Sequence, residues 1–152
     1  MAVAAPSPEI STLIDDMLDT LYAAPGVGLA APQVGAPHRL FVIDLSVGRV
    51  PGDRLILTNP EFVRREGMQL EEEGCLSVPG FHATVPRPAS LTVRGLDRDG
   101  HERVVDAEGF LARAIQHEMD HLDGILFIDR LRGIQRRLIL RRIESLRRTG
   151  QW

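Results

Sequence analysis

Apolar side chains near the start of the chain recur at intervals of three and four residues, at Ile10, Leu13, Ile14, Met17, Leu18 and Leu21. Side chains with this spacing share one face of an α-helix. Ser7 followed by Pro8 is a typical helix start, and Pro25-Gly26 is a typical end. The pattern therefore predicts an amphipathic helix over residues 8–23.

The middle of the chain alternates short apolar and β-branched runs with turn residues. The runs cover residues 39–45, 55–58, 62–66, 90–96 and 102–106, and turn residues stand at Gly35, Gly52, Asn59-Pro60 and Asp99-Gly100. Runs of this length and composition predict strands. The turn from Asp97 to Gly100 joins two of them and is typical of a hairpin.

Helical spacing returns in the last third of the chain. Residues 108–122 place Phe110, Leu111, Ala114, Ile115 and His117 on one face, and Gly124 is a typical residue just beyond a helix end. A last helix over residues 133–148 is expected to bury Ile134, Leu138, Ile139, Ile143 and Leu146 and to expose its arginines. This order predicts an α+β fold: one domain over residues 1–152, with short, mostly antiparallel strands around a central helix and with N-terminal and C-terminal helices.

Length and composition narrow the setting. A chain of 152 residues is long enough to bury a core and hold a rigid site. The opening residues 1–5 lack the basic and apolar regions of a signal peptide, and no long apolar run follows, so we expect a cytoplasmic protein with no membrane contact. The single cysteine, Cys75, leaves no internal disulfide, and its thiol is structural, reactive or a metal ligand.

The net charge of −3 hides an uneven distribution. From Arg130 onward there are eight arginines and one acid, a net charge of +7, whereas residues 1–129 carry ten arginines and twenty acids, a net charge of −10. A basic helix over residues 130–150 is typical of a contact with a polyanion, and equally of a solvated helix face.

Residues 117–121 read His117-Glu118-Met119-Asp120-His121. Side chains four residues apart lie on the same face of a helix, so both imidazoles can reach one metal ion while Glu118 lies close beside it. This geometry suits metal-assisted hydrolysis with a carboxylate base. A polar helix face that binds no metal is the alternative interpretation.

A catalytic metal site usually has three protein ligands and one open position. The metzincin pattern requires a third histidine at position 127, which is Phe127, so that class is excluded. Glu144 is the only glutamate after the motif and would make a zinc endopeptidase, but a surface ion pair is the simpler role for it. Cys75, in the glycine-containing turn segment 73–77, is the better candidate, although a lone cysteine is more often a small buried apolar residue.

The segment from Gly26 to Gln33 holds two glycines and small residues, where a backbone can approach another group closely. It lacks the G-K-[ST] ending and the last glycine of G-x-G-x-x-G, so it does not predict nucleotide binding. Together with residues 73–77 and 116–124, it closely resembles the three signature motifs of peptide deformylase, in the same order and with similar spacing. Val85-Pro86-Arg87 and the hairpin near Asp97 extend the resemblance over most of the chain.

This resemblance implies an enzyme that removes the N-formyl group from the initiator N-formylmethionine of nascent polypeptides and releases formate. It implies one divalent metal ion on Cys75, His117 and His121, with Fe(II) expected in vivo, and zinc, nickel or cobalt also able to occupy the ligands. Glu118 would take a proton from the water on the metal, which attacks the formyl carbon, and later protonate the departing amine.

Further residues match the family's substrate contacts. The side-chain amide of Gln33 and the backbone N–H of Leu76 are the implied donors to the oxyanion. The implied peptide site comprises Gly26, Val27, Gly28, Phe110 and Ala114, with core packing as the alternative role of the last two. Glu73 and Arg87 match a supporting ion pair behind the site, and Arg113 and Glu71 fall where rim residues are expected, with no direction assigned to either side chain.

The resemblance also bears on partners. A basic C-terminal helix can dock on the ribosome in this family, so residues 130–148 are a candidate ribosome contact, and no sequence-specific nucleic-acid binding is expected. The family usually has a longer segment before the first helix, so an exposed edge or lowered stability is expected there. A zinc endopeptidase using Glu144 and a non-enzymatic structural metal site are the alternatives.

Overall fold

The computed structural model describes Val3 and residues 6–24, 26–75, 78–131 and 133–150. These described residues form three α-helices: α1 (Pro8–Ala23), α2 (Gly109–Leu122) and α3 (Gly133–Arg148). They also form seven strands: β1 (Gly28–Ala30), β2 (Leu40–Ile43), β3 (Leu55–Glu66), β4 (Gln69–Cys75), β5 (Val78–Arg87), β6 (Ser90–Leu96) and β7 (Glu102–Glu108). The α+β fold expected from the sequence is confirmed.

The strands form two antiparallel sheets. The larger sheet has the order β1-β2-β3-β6-β7, so β1 and β7 are its edges. The smaller sheet is the hairpin of β4 and β5, which pairs Gln69 with Arg87 at its open end and Glu73 with Ala83 further along. The hairpin bears Cys75 at the end of β4 and stands apart from the larger sheet in hydrogen bonding.

Helix α1 has the bounds expected from its sequence. The Ser7 side chain accepts a hydrogen bond from the Ile10 N–H, and the apolar side chains Ile14, Met17 and Leu21 are almost completely buried. Side-chain capping satisfies one of the backbone donors that a helix start leaves unpaired. Val3, ahead of the helix, is buried and exchanges hydrogen bonds with the Asn59 side chain.

Helix α2 packs its apolar face, with Ala112, Ile115 and Met119, on the larger sheet. Its other buried positions are polar: Arg113, Gln116, Glu118, Asp120 and His121. Burying so many polar groups on one short helix is costly unless each is paired. The helix is therefore held in place by apolar packing on one side and by polar contacts on the other.

Two expectations for the middle of the chain need correction. Asn59-Pro60 is not a turn, because β3 runs on through it with an irregular register at this point, and Asn59 adopts a φ of 51°. Asparagine tolerates this left-handed conformation, and its side-chain bonds to Val3 hold it. The turn segment expected around Glu73 to Ser77 is instead the end of strand β4, as far as the described residues reach.

Helix α3 also differs in which side chains it buries. Ile143 is buried and Ile139 packs beside it, in a cluster with Ala83, Val85, Phe127, Ile128 and Leu131. Ile134 and Leu138 are instead 68% and 56% exposed, so the expectation that they are buried is wrong. The narrow contact with the hairpin covers only part of the apolar stripe. Within the described part of the chain, no helix has the length and apolar character needed to cross a membrane.

Candidate active site

A cavity of about 530 Å³ lies between the loop before β1, the β4–β5 hairpin and α2. Its described lining comprises Gly26, Val27, Gly28 and Gln33, then Glu72 to Cys75 and Gly80 to His82 of the hairpin, and Phe110, Arg113, Ala114, His117 and Glu118 of α2. All three sequence motifs therefore contribute to one cavity.

Cys75, His117 and His121 converge beside this cavity. The Cys75 sulfur lies 3.2 Å from Nε2 of His121, and that nitrogen lies 3.1 Å from Nε2 of His117. One ligand atom from each of the three residues lies within 4.8 Å of the other two. A thiolate and two imidazoles at such separations are the donor set and spacing that a tetrahedral divalent metal needs, so the site fits a metal ion.

The surroundings of His117 support this fit. Burial lowers the pKa of His117 in the protein alone, but the hydrogen bonds to Cys75 and Glu73 raise it by more. The result is a pKa of about 10. Negative groups that favour a proton on an imidazole also favour a divalent cation there. A divalent ion held by His117 would take the place of that proton, and the hydrogen bond between Nδ1 and Glu73 would orient the imidazole towards it.

Glu118 follows His117 and points towards the cavity from a buried position. It is 3% exposed, and its Oε2 has no hydrogen-bond partner among the described residues. Burial raises the pKa of Glu118 to about 7, against the opposing effect of the two histidines. A carboxyl group with a pKa near neutrality can both accept and donate a proton.

Gln33 lies beside Cys75, in a 3₁₀ turn over Ala31–Val34. Its Oε1 accepts a hydrogen bond from the Ala30 N–H at 2.9 Å, and its Nε2 lies 3.5 Å from the Cys75 sulfur. The first contact fixes the amide so that its N–H group faces the site.

Glu73 and Arg87 form the buried ion pair expected from the sequence. Arg87 Nε and Nη2 donate to Oε2 and Oε1 of Glu73, both at 2.8 Å, and Nδ1 of His117 lies 2.8 Å from the same Oε1. Burial raises the pKa of Glu73, but the hydrogen bonds from Arg87 and His117 lower it by more, to about 2. The carboxylate is therefore ionised and orients the imidazole.

Sequence reasoning missed how far this network extends. Arg113 turns inward and also donates to Glu73, while Arg87 donates to Asp120 at 2.6 Å and Arg130 binds both oxygens of Asp120. The one sign of this network in the sequence was Asp120, an acidic residue inside the histidine motif. Nothing in the chain order shows that a residue of α2 meets an arginine of β5.

The remaining candidates are placed as follows. Phe110 is 61% exposed at the mouth of the cavity, so core packing is not its role, whereas Ala114 both lines the cavity and packs on the main core. Glu71 is exposed on β4, and Glu144 is exposed on α3. Among the described residues, the group around His117 and His121 that could hold a metal ion includes Cys75 and does not include Glu144. Leu76 lies outside the described residues.

The convergence of Cys75, His117 and His121 beside the buried glutamate of the H-E-x-x-H motif places the protein in the class of H-E-x-x-H hydrolases. A family model described as polypeptide deformylase matches residues 1–137. The chain therefore belongs to the polypeptide deformylase family, and it is an enzyme.

Individual relatives agree with this assignment. The chain is 50% identical over 144 residues to a peptide deformylase of Acidobacterium capsulatum, covering 95% of this chain and 85% of the relative. It is 54% identical over 143 residues to one of Xylella fastidiosa, covering 93% and 82%.

Solved structures show the same fold. The crystal structure of a peptide deformylase from Legionella pneumophila superposes with a TM-score of 0.89 at 43% identity, over 99% of this chain and 88% of that one. A peptide deformylase from Synechococcus elongatus, crystallised in complex with actinonin, superposes with a TM-score of 0.87 at 43% identity, over 99% and 79% of the two chains.

Proposed function

We propose that this enzyme removes the N-formyl group from the initiator N-formylmethionine of nascent polypeptides and releases formate. Membership of the family supports the reaction. The single observation that carries it is the convergence of Cys75, His117 and His121 beside the buried Glu118, in a cavity open to a peptide. We further propose that the reaction takes place in the cytoplasm.

Cys75, His117 and His121 are the proposed metal ligands, with Fe(II) as the ion in vivo and zinc, nickel or cobalt as ions that also fit the donors. The thiolate is a soft donor and the imidazoles suit iron, nickel, cobalt and zinc. When bound, the ion supplies a Lewis acid for the formyl oxygen and lowers the pKa of water beside it.

Glu118 is the proposed general base and acid. Its Oε2 takes a proton from the water that attacks the formyl carbon and then returns a proton to the departing methionine nitrogen. A pKa of about 7, raised by burial, lets this carboxyl group serve in both directions near neutral pH. Burial also keeps bulk water from competing for the proton.

The negative oxygen that forms on the formyl carbon needs hydrogen-bond donors. The proposed donors are Nε2 of Gln33, whose amide is fixed by its bond to the Ala30 N–H, and the backbone N–H of Leu76, which lies outside the described residues. A donor that is already oriented needs no rearrangement when charge develops.

The peptide is proposed to lie along Gly26, Val27 and Gly28, beside β1, an edge strand of the larger sheet, by strand addition. Val27, Phe110 and Ala114 line the cavity and supply apolar contact for the methionine side chain. A Cβ at Gly28 would lie 3.2 Å from the Glu118 side chain, so glycine lets this segment run close to the proposed base.

Formate release from formyl-Met-Ala-Ser tests this function directly. Protein purified anaerobically and loaded with Fe(II) or Ni(II) is expected to release formate, and the Glu118→Ala variant is expected to lose this activity while it keeps the metal. No release from folded, metal-loaded protein would reject the proposal. Metal loss on Glu144→Ala and metal retention on Cys75→Ala would support the endopeptidase alternative instead.

A ribosome contact through the basic C-terminal helix is a separate proposal. The exposed arginines of α3 include Arg137, Arg141, Arg142, Arg147 and Arg148. A dense row of positive charge on one helix attracts a polyanion such as ribosomal RNA without reading its sequence.

A further inference from the structure

The proposed metal ligands come from two parts of the molecule that do not share an apolar core. His117 and His121 stand on α2, whose apolar face belongs to the cluster of the larger sheet. Cys75 stands on the hairpin, whose apolar residues pack with residues 126–131 and α3. Among the described residues, the hairpin cluster has no member from α2, and the cluster of the larger sheet has none from the hairpin. The direct contacts between the hairpin and α2 are therefore the polar ones, made by side chains of α2 with Gln69, Glu73, Val85 and Arg87.

Arg113 provides the most extensive of these contacts. It stands on α2 one turn before His117, and its side chain is 5% exposed. Nη1 donates to Oε2 of Glu73, Nε donates to Oε1 of Gln69 at 3.1 Å, and Nη2 donates to the backbone oxygen of Val85 at 2.8 Å. One planar guanidinium therefore binds both strands of the hairpin, which an ammonium group on a single stem cannot do.

Arg113 also completes the set of donors around Glu73. A carboxylate has about four lone-pair positions. Here Oε1 accepts from Arg87 and His117, and Oε2 accepts from Arg87 and Arg113. With every position filled, the carboxylate has one orientation, and the imidazole of His117 is held at a fixed angle.

We propose that Arg113 is a positioning residue, which fixes the β4–β5 hairpin against α2 and thereby sets the separation of Cys75 from the two histidine ligands. The inference rests on the proposed metal centre and deepens it. Arg87 secures Glu73 from the hairpin itself and reaches α2 through Asp120, so its role is distinct. Arg113 acts from the side of the cavity.

Metal affinity of the folded protein tests this role. Arg113→Met is expected to weaken Co(II) binding about 10- to 100-fold, the usual effect of losing a partner of a metal ligand, as measured by competition with a chelator below the melting temperature. The thiolate-to-cobalt absorption band is expected to shift or weaken, because the sulfur no longer has one fixed distance to the ion. Arg113→Lys keeps the positive charge but loses the planar guanidinium with its several N–H donors. It is expected to weaken Co(II) binding and alter the absorption band to a smaller extent.

Two comparisons separate positioning from general stability. Arg94→Met, at a 54% exposed arginine of β6 paired with Glu61, is the matched control and should bind Co(II) as the wild type does. Arg113→Met is expected to cost less affinity in the Glu73→Gln background than in the wild type, because the contact of Arg113 with the Glu73 carboxylate is already lost there. Unchanged affinity and spectrum in both Arg113 variants would overturn the inference even if their melting temperatures fall, as would losses that add fully with Glu73→Gln. If the wild type shows no thiolate-to-cobalt band, the metal centre itself is rejected.

Discussion

Gly28 and Glu118 show how closely single residues are fitted in this site. A Cβ built on Gly28 would lie 3.2 Å from Cγ and Cδ of Glu118 and 3.3 Å from Oε1. Such contacts are closer than ordinary carbon separations, and Glu118 is buried, so it has little room to yield. The absence of a side chain at Gly28 is therefore part of what places the carboxyl group that we propose as the general base.

Gly28→Ala is expected to lower kcat about 10- to 100-fold, because a small displacement of a catalytic group has a large effect on rate. The fold should be kept, since the backbone at this position is compatible with alanine. Steady-state kinetics with a formyl peptide and far-UV circular dichroism check both parts. Gly52→Ala is the matched control, because a Cβ there meets nothing within 4 Å. Equal kcat for the two variants would contradict the prediction.

Gln33→Leu removes the proposed oxyanion donor while it preserves much of the side-chain volume. We expect kcat to fall by roughly 100-fold, corresponding to about 3 kcal/mol of lost transition-state stabilisation. The metal content, measured by elemental analysis, should stay at the wild-type level because Gln33 is not a proposed ligand. An unchanged rate would remove Gln33 from the mechanism.

At the scale of elements, the hairpin depends on a buried ion pair in which both side chains are at most 5% exposed. Arg87→Met leaves Glu73 and Asp120 without their shared partner. We expect the free energy of unfolding to fall by about 3 to 5 kcal/mol, as it does when one partner of a buried pair is removed. Urea unfolding followed by circular dichroism measures this change.

The matched control for that prediction is Arg64→Met. Arg64 pairs with Glu66 at 3.4 Å, but both side chains are well exposed, so solvent screens the pair and the stability should change little. A similar loss of stability in both variants would mean that burial is not what makes the Arg87 pair important.

The elements that the sequence predicts well are those whose patterns are local. Helix α1 follows from its apolar spacing and its cap, and the hairpin of β6 and β7 follows from the turn at Gly100. Strand β4 was missed because Glu71, Glu72 and Glu73 lack an apolar alternation, since the strand is held by pairing with β5 and by buried ion pairs. An ion pair between residues 40 positions apart, such as Arg113 with Glu73, leaves no mark in a local pattern.

The same distinction applies to the site. The residues of the three motifs converge on one cavity as the resemblance implied, and their roles stay proposals. Arg113 could not be given a direction from the sequence, because its partners Gln69 and Val85 are set by how the hairpin packs against α2. Likewise, the exposure of Ile134 and Leu138 depends on how narrow the contact of α3 is.

For the whole molecule, the charge is divided between an acidic body and a basic last helix. Helix α3 cannot simply be removed to test its role, because Ile143 is buried in the hairpin cluster. Replacing charge on its exposed face keeps that packing. The triple variant Arg137→Gln, Arg141→Gln and Arg142→Gln is the suitable change.

This triple variant is expected to cosediment with ribosomes more weakly than the wild type at low salt, since fewer counterions are released on binding. Hydrolysis of a short formyl peptide should be unaffected, because the cavity lies on other elements. Replacing Arg64, Arg65 and Arg94 by Gln, all exposed on strands, gives a control with the same change in net charge. Equal cosedimentation of both variants would reject the contact through α3.

The two edges of the larger sheet have opposite characters. Strand β1 has three residues, begins at Gly28 and lies beside the cavity. Strand β7, at the far edge, presents Glu102, Arg103, Asp106 and Glu108 along its length. Charged side chains on an edge strand disfavour pairing with a second sheet. The molecule can therefore keep one short edge beside the cavity, as the proposed strand addition requires, and still resist edge-to-edge stacking into fibrils at the crowded concentrations of a cell.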